Sequence, residues 1–187
     1  MKMSKIISFV MFFLFSSMPQ YSFANTVVWD VNGIYEIGSG KEWWNITNLT
    51  THNNVIVKMY EGGGVSYFWM YDNSEFTMYE GSVNYLYLND NATASYFAGA
   101  GPFNIDINSV STAQVKLYAE FDHFEPYDPY NDPLGPGNVY GYWLSNDMSF
   151  NINLVGQGAF SHIQFIPEPA TLFLLGLGGM ILRKRKA

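Results

Sequence analysis

Two neighbouring segments of this chain lie over one another without a gap. Gly63 to Glu80 (GGVSYFWMYDNSEFTMYE) aligns with Gly81 to Ala98 (GSVNYLYLNDNATASYFA), and Gly63, Gly81 and Gly99 stand 18 residues apart each time. Upstream, Leu49 to Gly62 fits Phe68 to Gly81 at an offset of 19, and downstream Val115-Lys116-Leu117-Tyr118 echoes Val57-Lys58-Met59-Tyr60. Internal self-similarity at a fixed period marks a stacked architecture. A period of 18 to 19 residues, read as two short strands and two turns, is one coil of a β-solenoid, in which each coil satisfies its backbone through its neighbours about 4.8 Å away. The expected fold is therefore all-β: a short right-handed parallel β-helix of about three to four coils, closed by an antiparallel C-terminal cap.

Alternation along each strand predicts which residues stack. Val57, Phe76 and Ala94 form one inward column and Met59, Met78 and Tyr96 another, while Tyr60, Tyr79 and Phe97 stack on the other face. Asn53-Asn54, Asp72-Asn73 and Asp90-Asn91 fall at matched turn positions. Asn and Asp tolerate left-handed backbone and bond their own turns, so these residues read as a structural ladder. The competing reading is catalytic, because Asp72 and Asp90 would stack one coil apart and β-helix enzymes that cleave polysaccharides use clustered carboxylates.

Around the repeat, Thr26 to Trp29 and Ile34 to Ile37 read as an opening strand pair within residues 25–44. The repeats occupy 45–118, and 119–165 holds C-terminal strands with a Pro-rich acidic loop. There, Lys116 to Phe124 reads as one strand and Glu125 to Asn138 as the loop, with strands over Val139 to Leu144, Met148 to Leu154 and Ala159 to Phe165.

Both ends are of a different kind. Met1 to Ala24 has Lys2 and Lys5, an apolar run from Ile6 to Phe15, and Ser22-Phe23-Ala24 before Asn25. This is the layout of a secretory signal helix cleaved between Ala24 and Asn25, which implies passage through the Sec translocon. At the other end, residues 166–187 read IPEPATLFLLGLGGMILRKRKA. Pro167 and Pro169 hold Pro167-Glu168-Pro169 extended. An uncharged run of 13 residues follows, 170–182, and then Arg183, Lys184, Arg185 and Lys186. Cations after an apolar span keep that end cytoplasmic. Thirteen helical residues reach about 20 Å against a hydrocarbon core of about 30 Å, a length better suited to a transient anchor than a permanent one.

The tail resembles the PEP-CTERM sorting signal of Gram-negative bacteria: Pro-Glu-Pro, an apolar transmembrane helix and a basic end. The resemblance implies export, recognition by an exosortase near Pro167-Glu168-Pro169, temporary anchoring in the cytoplasmic membrane, and delivery to the cell surface or its exopolysaccharide matrix. Glycine-bounded repeats with a central Asp-Asn-Ser or its like recur in exported proteins with this tail, which fits a short β-helix.

Composition narrows what the body can do. Setting aside the two basic ends leaves Lys41, Lys58 and Lys116 against 16 acidic residues, a net charge of −13 for residues 25–182. Such a body repels nucleic acid. The chain has no cysteine, so disulfides and thiolate metal sites are excluded. Asp122, Glu125, Asp128 and Asp132 offer oxygen ligands of the kind calcium takes, without the spacing of a known calcium loop, so no cofactor or metal is expected. Neither Gly-x-Ser-x-Gly nor a spaced His pair is present. The remaining excess is aromatic. Tyr67, Trp69 and Tyr71 alternate on one strand, with Tyr85 and Tyr87 at the equivalent positions one coil on. Large exposed apolar patches are uncommon, so these rings are expected to lie under the cap as core; left open, they form a flat platform on which sugar rings can stack. The expectation is thus an exported, non-enzymatic surface or matrix protein with a structural or adhesive role. The alternatives are a polysaccharide-active β-helix enzyme and a carbohydrate-binding module using the aromatic strip.

Overall fold

A computed structural model describes residues 24–99 and 103–167. The predicted signal and transmembrane helices lie outside the described residues, apart from the backbone of Ala24. Among the described residues the fold is nearly all β. The odd strands of the first half are β1 (Ala24–Trp29), β3 (Asn45–Thr51), β5 (Gly64–Met70), β7 (Ser82–Leu88) and β9 (Phe103–Ile107). The even ones are β2 (Gly33–Ile37), β4 (Val55–Met59), β6 (Glu75–Met78), β8 (Thr93–Tyr96) and β10 (Gln114–Leu117). Then come β11 (Ala119–Pro126), β12 (Gly137–Trp143), β13 (Ser149–Val155), a 3-10 turn (Ala159–His162) and β14 (Ile163–Phe165).

Successive strands alternate between two sheets, as the repeat requires. The first sheet runs β1-β3-β5-β7-β9-β13-β12-β11 and the second β14-β10-β8-β6-β4-β2. Every pairing from β1 to β9 and every pairing in the second sheet is parallel. The solenoid is longer than the three to four coils expected. Five coils, β1/β2 to β9/β10, follow one another, and β13/β14 add a last one by pairing parallel with β9 and β10. The opening strands β1 and β2 do not pair with each other; each joins a different sheet and together they make the first coil.

The predicted columns are in place. Val57 pairs with Phe76 and Phe76 with Ala94; Met59 pairs with Met78 and Met78 with Tyr96, and all six are buried. Strict alternation slips once in each of β3, β5 and β7. Ile46 and Leu49, Val65 and Phe68, and Val83 and Leu86 are buried three residues apart, with two outward residues between them. The strand turns a corner there, and β3, β5 and β7 turn it at the same register position.

At one end of the coils the chain passes Gly63, Gly81 and Gly99. A Cβ at Gly81, whose φ is +104°, would sit 2.6 Å from the Gly63 carbonyl oxygen, so only glycine lets the coils approach this closely. At the other end, Asn53, Asp72 and Asp90 all take left-handed φ of 59°, 59° and 55°. The Asp72 carboxylate accepts from the Asn53 N–H at 2.8 Å and that of Asp90 from the Asp72 N–H at 3.0 Å. Next to them the amides form a chain: Asn73 Nδ2 donates to Asn54 Oδ1 at 3.4 Å, Asn91 Nδ2 to Asn73 Oδ1 at 3.2 Å, and Thr112 Oγ1 to Asn91 Oδ1.

Both ends of the core are plugged with rings. Trp29 stacks on Tyr35 at 4.3 Å with Trp43 edge-on at 6.1 Å. At the far end Phe124 stacks on Phe160 at 4.1 Å and Phe121 leans on Phe165 at 4.6 Å. The single predicted strand over Lys116 to Phe124 is two, because the chain leaves the second sheet at Tyr118 and enters the first at Ala119. A register shift between Phe121 and His123 lets Phe121 and Phe124, three apart, both reach this plug. The antiparallel β11-β12-β13 meander forms the expected cap. The predicted final strand over Ala159 to Phe165 is shorter, since its first four residues form the 3-10 turn.

Asp72 tests the ladder. Asp72→Ala removes the acceptor for Asn53 and places a Cβ residue without a polar side chain in left-handed backbone, so it should cost about 2 kcal/mol in urea unfolding. Asp72→Asn keeps both features and should stay within about 0.5 kcal/mol of the parent.

Candidate functional site

Two regions carry the candidate residues: the C-terminal end of the stack and the outer face of the first sheet. At the first, the turn after each even strand ties back to the coil before. The N–H groups of Tyr60, Tyr79, Phe97 and Tyr118 donate to Ile37, Met59, Met78 and Tyr96, at 2.9 to 3.0 Å. Ile166 continues this series, donating to Leu117 O at 2.8 Å. The rings in that column also stack, Tyr60 on Tyr79 at 5.4 Å, Tyr79 on Phe97 at 5.3 Å and Phe97 on Tyr118 at 3.9 Å. Pro167 then follows, exposed and without an N–H to donate. The sorting tripeptide therefore begins at the residue where the solenoid ladder ends. Glu168, Pro169 and the basic cluster Arg183, Lys184, Arg185 and Lys186 lie outside the described residues, as do the side chains of Ala24 and Asn25.

On the outer face of the first sheet, register places Asn48, Tyr67, Tyr85, Asn104 and Asn153 in one column. Thr50, Trp69, Tyr87, Asp106 and Val155 form the next. The cap does not cover these rings, contrary to the expectation that they are core: Tyr67 and Tyr85 are 39% and 38% exposed. The cap extends the same sheet along the solenoid axis instead of folding across its outer face. Along the axis Tyr67 lies 5.1 Å from Tyr85 and Trp69 5.4 Å from Tyr87, with planes within 11° and 8° of parallel. Near-parallel rings with centroids this close cannot lie in one plane, so the surface is stepped like shingles, and not the flat platform of the open-face alternative. Tyr71 does not belong to it; it follows β5 in the turn and stacks on His52 at 4.9 Å.

Polar groups border the shingle. Asn48 Nδ2 donates to Thr26 Oγ1 at 3.3 Å. On the other side Asn104 accepts from Asn153 Nδ2 at 2.6 Å, and Asn153 Oδ1 accepts from the Tyr127 hydroxyl at 2.7 Å, which pins the acidic loop to the sheet. Asp106, facing Tyr87 across the register, is partly desolvated, and burial holds its carboxyl above the usual range. Burial, and then the neighbouring Asp106 charge, raise the Tyr87 hydroxyl.

The remaining candidates are dispersed. The carboxylates of Asp72 and Asp90 are engaged by turn N–H groups, which supports the structural reading of both. Asp128 accepts from the N–H groups of Tyr130 and Asn131 and from Asn131 Nδ2, and these bonds lower its carboxyl. Asp122 pairs with His123 at 3.0 Å, Glu125 accepts from Tyr140 at 3.4 Å, and Asp132 lies against Gly135. Among the described residues no three His, Asp or Glu side chains converge as metal ligands. Sequence reasoning missed Asn104 and Asp106, which follow Tyr85 and Tyr87 at an offset of 19 but put polar residues where the strip has rings, and it missed Asn153 because that residue lies beyond the repeat.

A raised carboxyl has a definite sign. Asp106 favours folding while protonated, and this contribution is lost as pH rises through its folded pKa. Asp106→Asn should therefore melt higher than the parent at pH 7, and the difference should vanish as pH falls below about 3.5, where the unfolded carboxyl is itself protonated.

Compared with known proteins, residues 165–186 match the model of the PEP-CTERM protein-sorting motif. No curated protein and no solved structure matches the chain. The matched stretch begins at Phe165, the last residue of β14, so motif and solenoid overlap at that one residue. The chain carries a PEP-CTERM sorting motif, which implies an exported, membrane-anchored precursor that is processed by an exosortase and sorted to the cell surface.

Proposed function

We propose that this is a non-enzymatic component of the cell surface or exopolysaccharide matrix, whose solenoid body serves as a stiff structural or adhesive element. The signal at Met1 to Ala24 takes it through the Sec translocon, and cleavage before Asn25 removes the first residue of β1 and leaves the rest of that strand to open the stack. The observation that carries the reading is the absence of a linker between body and tail: Ile166 is hydrogen-bonded within the stack and Pro167 opens the sorting tripeptide. Processing near this point would release or transfer the whole solenoid as one rigid unit, with no trailing segment. Backbone bonds that run from coil to coil suit a body that bears load along its axis. The candidate carboxylates, Asp72 and Asp90, serve the turns, which favours a structural role over hydrolysis.

Mass spectrometry of the protein recovered from its native host should find a mature N-terminus at Asn25 and a C-terminus near Pro167-Glu168-Pro169. An intact chain ending in Arg183 to Ala187, retained in the cytoplasmic membrane, would overturn the reading.

A further inference from the structure

The outer face of the first sheet has the chemistry of a ligand site that the sorting motif does not explain. Its centre is the shingled block Tyr67, Trp69, Tyr85 and Tyr87, with cross-strand ring spacings of 5.1 and 5.4 Å and side-by-side spacings of 5.9 and 6.4 Å. Register continues the block along the solenoid axis into polar groups on both sides: Asn48 and Thr50 before it, Asn104, Asp106 and Asn153 after it. A ligand that fits must present apolar faces at intervals close to the coil spacing and hydrogen-bonding groups on either side of them. A chain of pyranose rings does so, since its C–H faces pack on aromatic rings and its hydroxyls meet amides and carboxylates.

Charge selects among such chains. The body lysines lie away from this face: Lys58 and Lys116 are on β4 and β10 of the second sheet, and Lys41 is paired with Glu36 at 2.6 Å in the loop after β2. The strands of the face carry the carboxylate of Asp106, on a body rich in acid. An anionic polymer would meet repulsion without a cation to offset it. We infer that this face binds a neutral polysaccharide laid along the solenoid axis, with the four rings as its stacking surface and Asn48, Asn104 and Asp106 as hydroxyl partners. This rests on the surface role proposed above and names the ligand of its adhesive part.

Affinity electrophoresis of the full-length chain in mild detergent tests it, with hydroxyethylcellulose, galactomannan or dextran as neutral polymers in the gel and alginate as the anionic one. At least one neutral polymer should retard the protein and alginate should not. Trp69→Ala with Tyr87→Ala, and separately the single change Tyr85→Ala, should weaken the retardation, the pair by about tenfold. Tyr79→Ala, which removes an equally exposed ring from the stacked column on the other side, should leave it unchanged. Failure of every neutral polymer, equal retardation by alginate, or an equal loss in Tyr79→Ala would overturn the proposal; parent-like melting of Tyr85→Ala keeps the comparison valid if the double variant does not fold. A chain that is exported and trimmed in its host but ignores neutral polymers removes the ligand and leaves the surface role. One that binds the polymer but keeps its tail in the host does the reverse.

Discussion

Parallel, in-register hydrogen bonding from one coil to the next is the constraint on which this molecule depends. No coil satisfies its own backbone, so each is stable only while the next repeats its path. Register then multiplies every local choice. One left-handed Asp in a turn becomes the series Asn53, Asp72 and Asp90, with carboxylates reaching the N–H of the coil before. One aromatic after an even strand becomes the Tyr60-Tyr79-Phe97-Tyr118 stack. The shingle on the outer face has the same origin, two aromatic columns two coils deep. The backbone spacing sets the distance between rings, 5.1 and 5.4 Å between centroids.

The middle of the fold is legible in the sequence because β3 to β8 keep offsets of 18 and 19, so identical positions carry similar residues. The outer coils use the same backbone but longer connections. Thr26 and Asn48 sit 22 apart and Asn91 and Thr112 21 apart, enough to break an alignment by eye without breaking the stack. The last coil is harder still to see, since Asn104 and Asn153 are neighbours across 49 residues of hairpin and acidic loop. Hydrophobic alternation names strands, but it does not say that a chain will leave the stack, build a meander and return. The aromatic strip was readable and its polar border was not: Tyr67, Trp69, Tyr85 and Tyr87 repeat in residue type, whereas Asn104 and Asp106 keep the offset of 19 without the ring and Asn153 lies beyond the repeat. Exposure of the strip depended on where the cap goes, and the cap extends the sheet along the solenoid axis.

The short return through β14 joins fold to fate. Its three residues complete the second sheet, seat Phe165 against the ring plug, and pass directly into the sorting tripeptide. A body that folds fully delivers Pro167 at the edge of a closed stack; one that fails to close leaves Phe165 and Ile166 unpaired beside the processing signal.

The return of the final coil is the most direct point at which to test this account, and the absence of native cysteine makes the test clean. Lys116 and Gln164 face each other in the β10–β14 register, at a separation that a disulfide can bridge. In a chain carrying Lys116→Cys and Gln164→Cys, mild oxidation should give rapid and nearly complete intramolecular cross-linking, and the off-register pair Gln114→Cys and Gln164→Cys should link poorly. Equal linking of the two pairs, or none in the first, would show that the last strand does not close the solenoid ahead of the sorting tail.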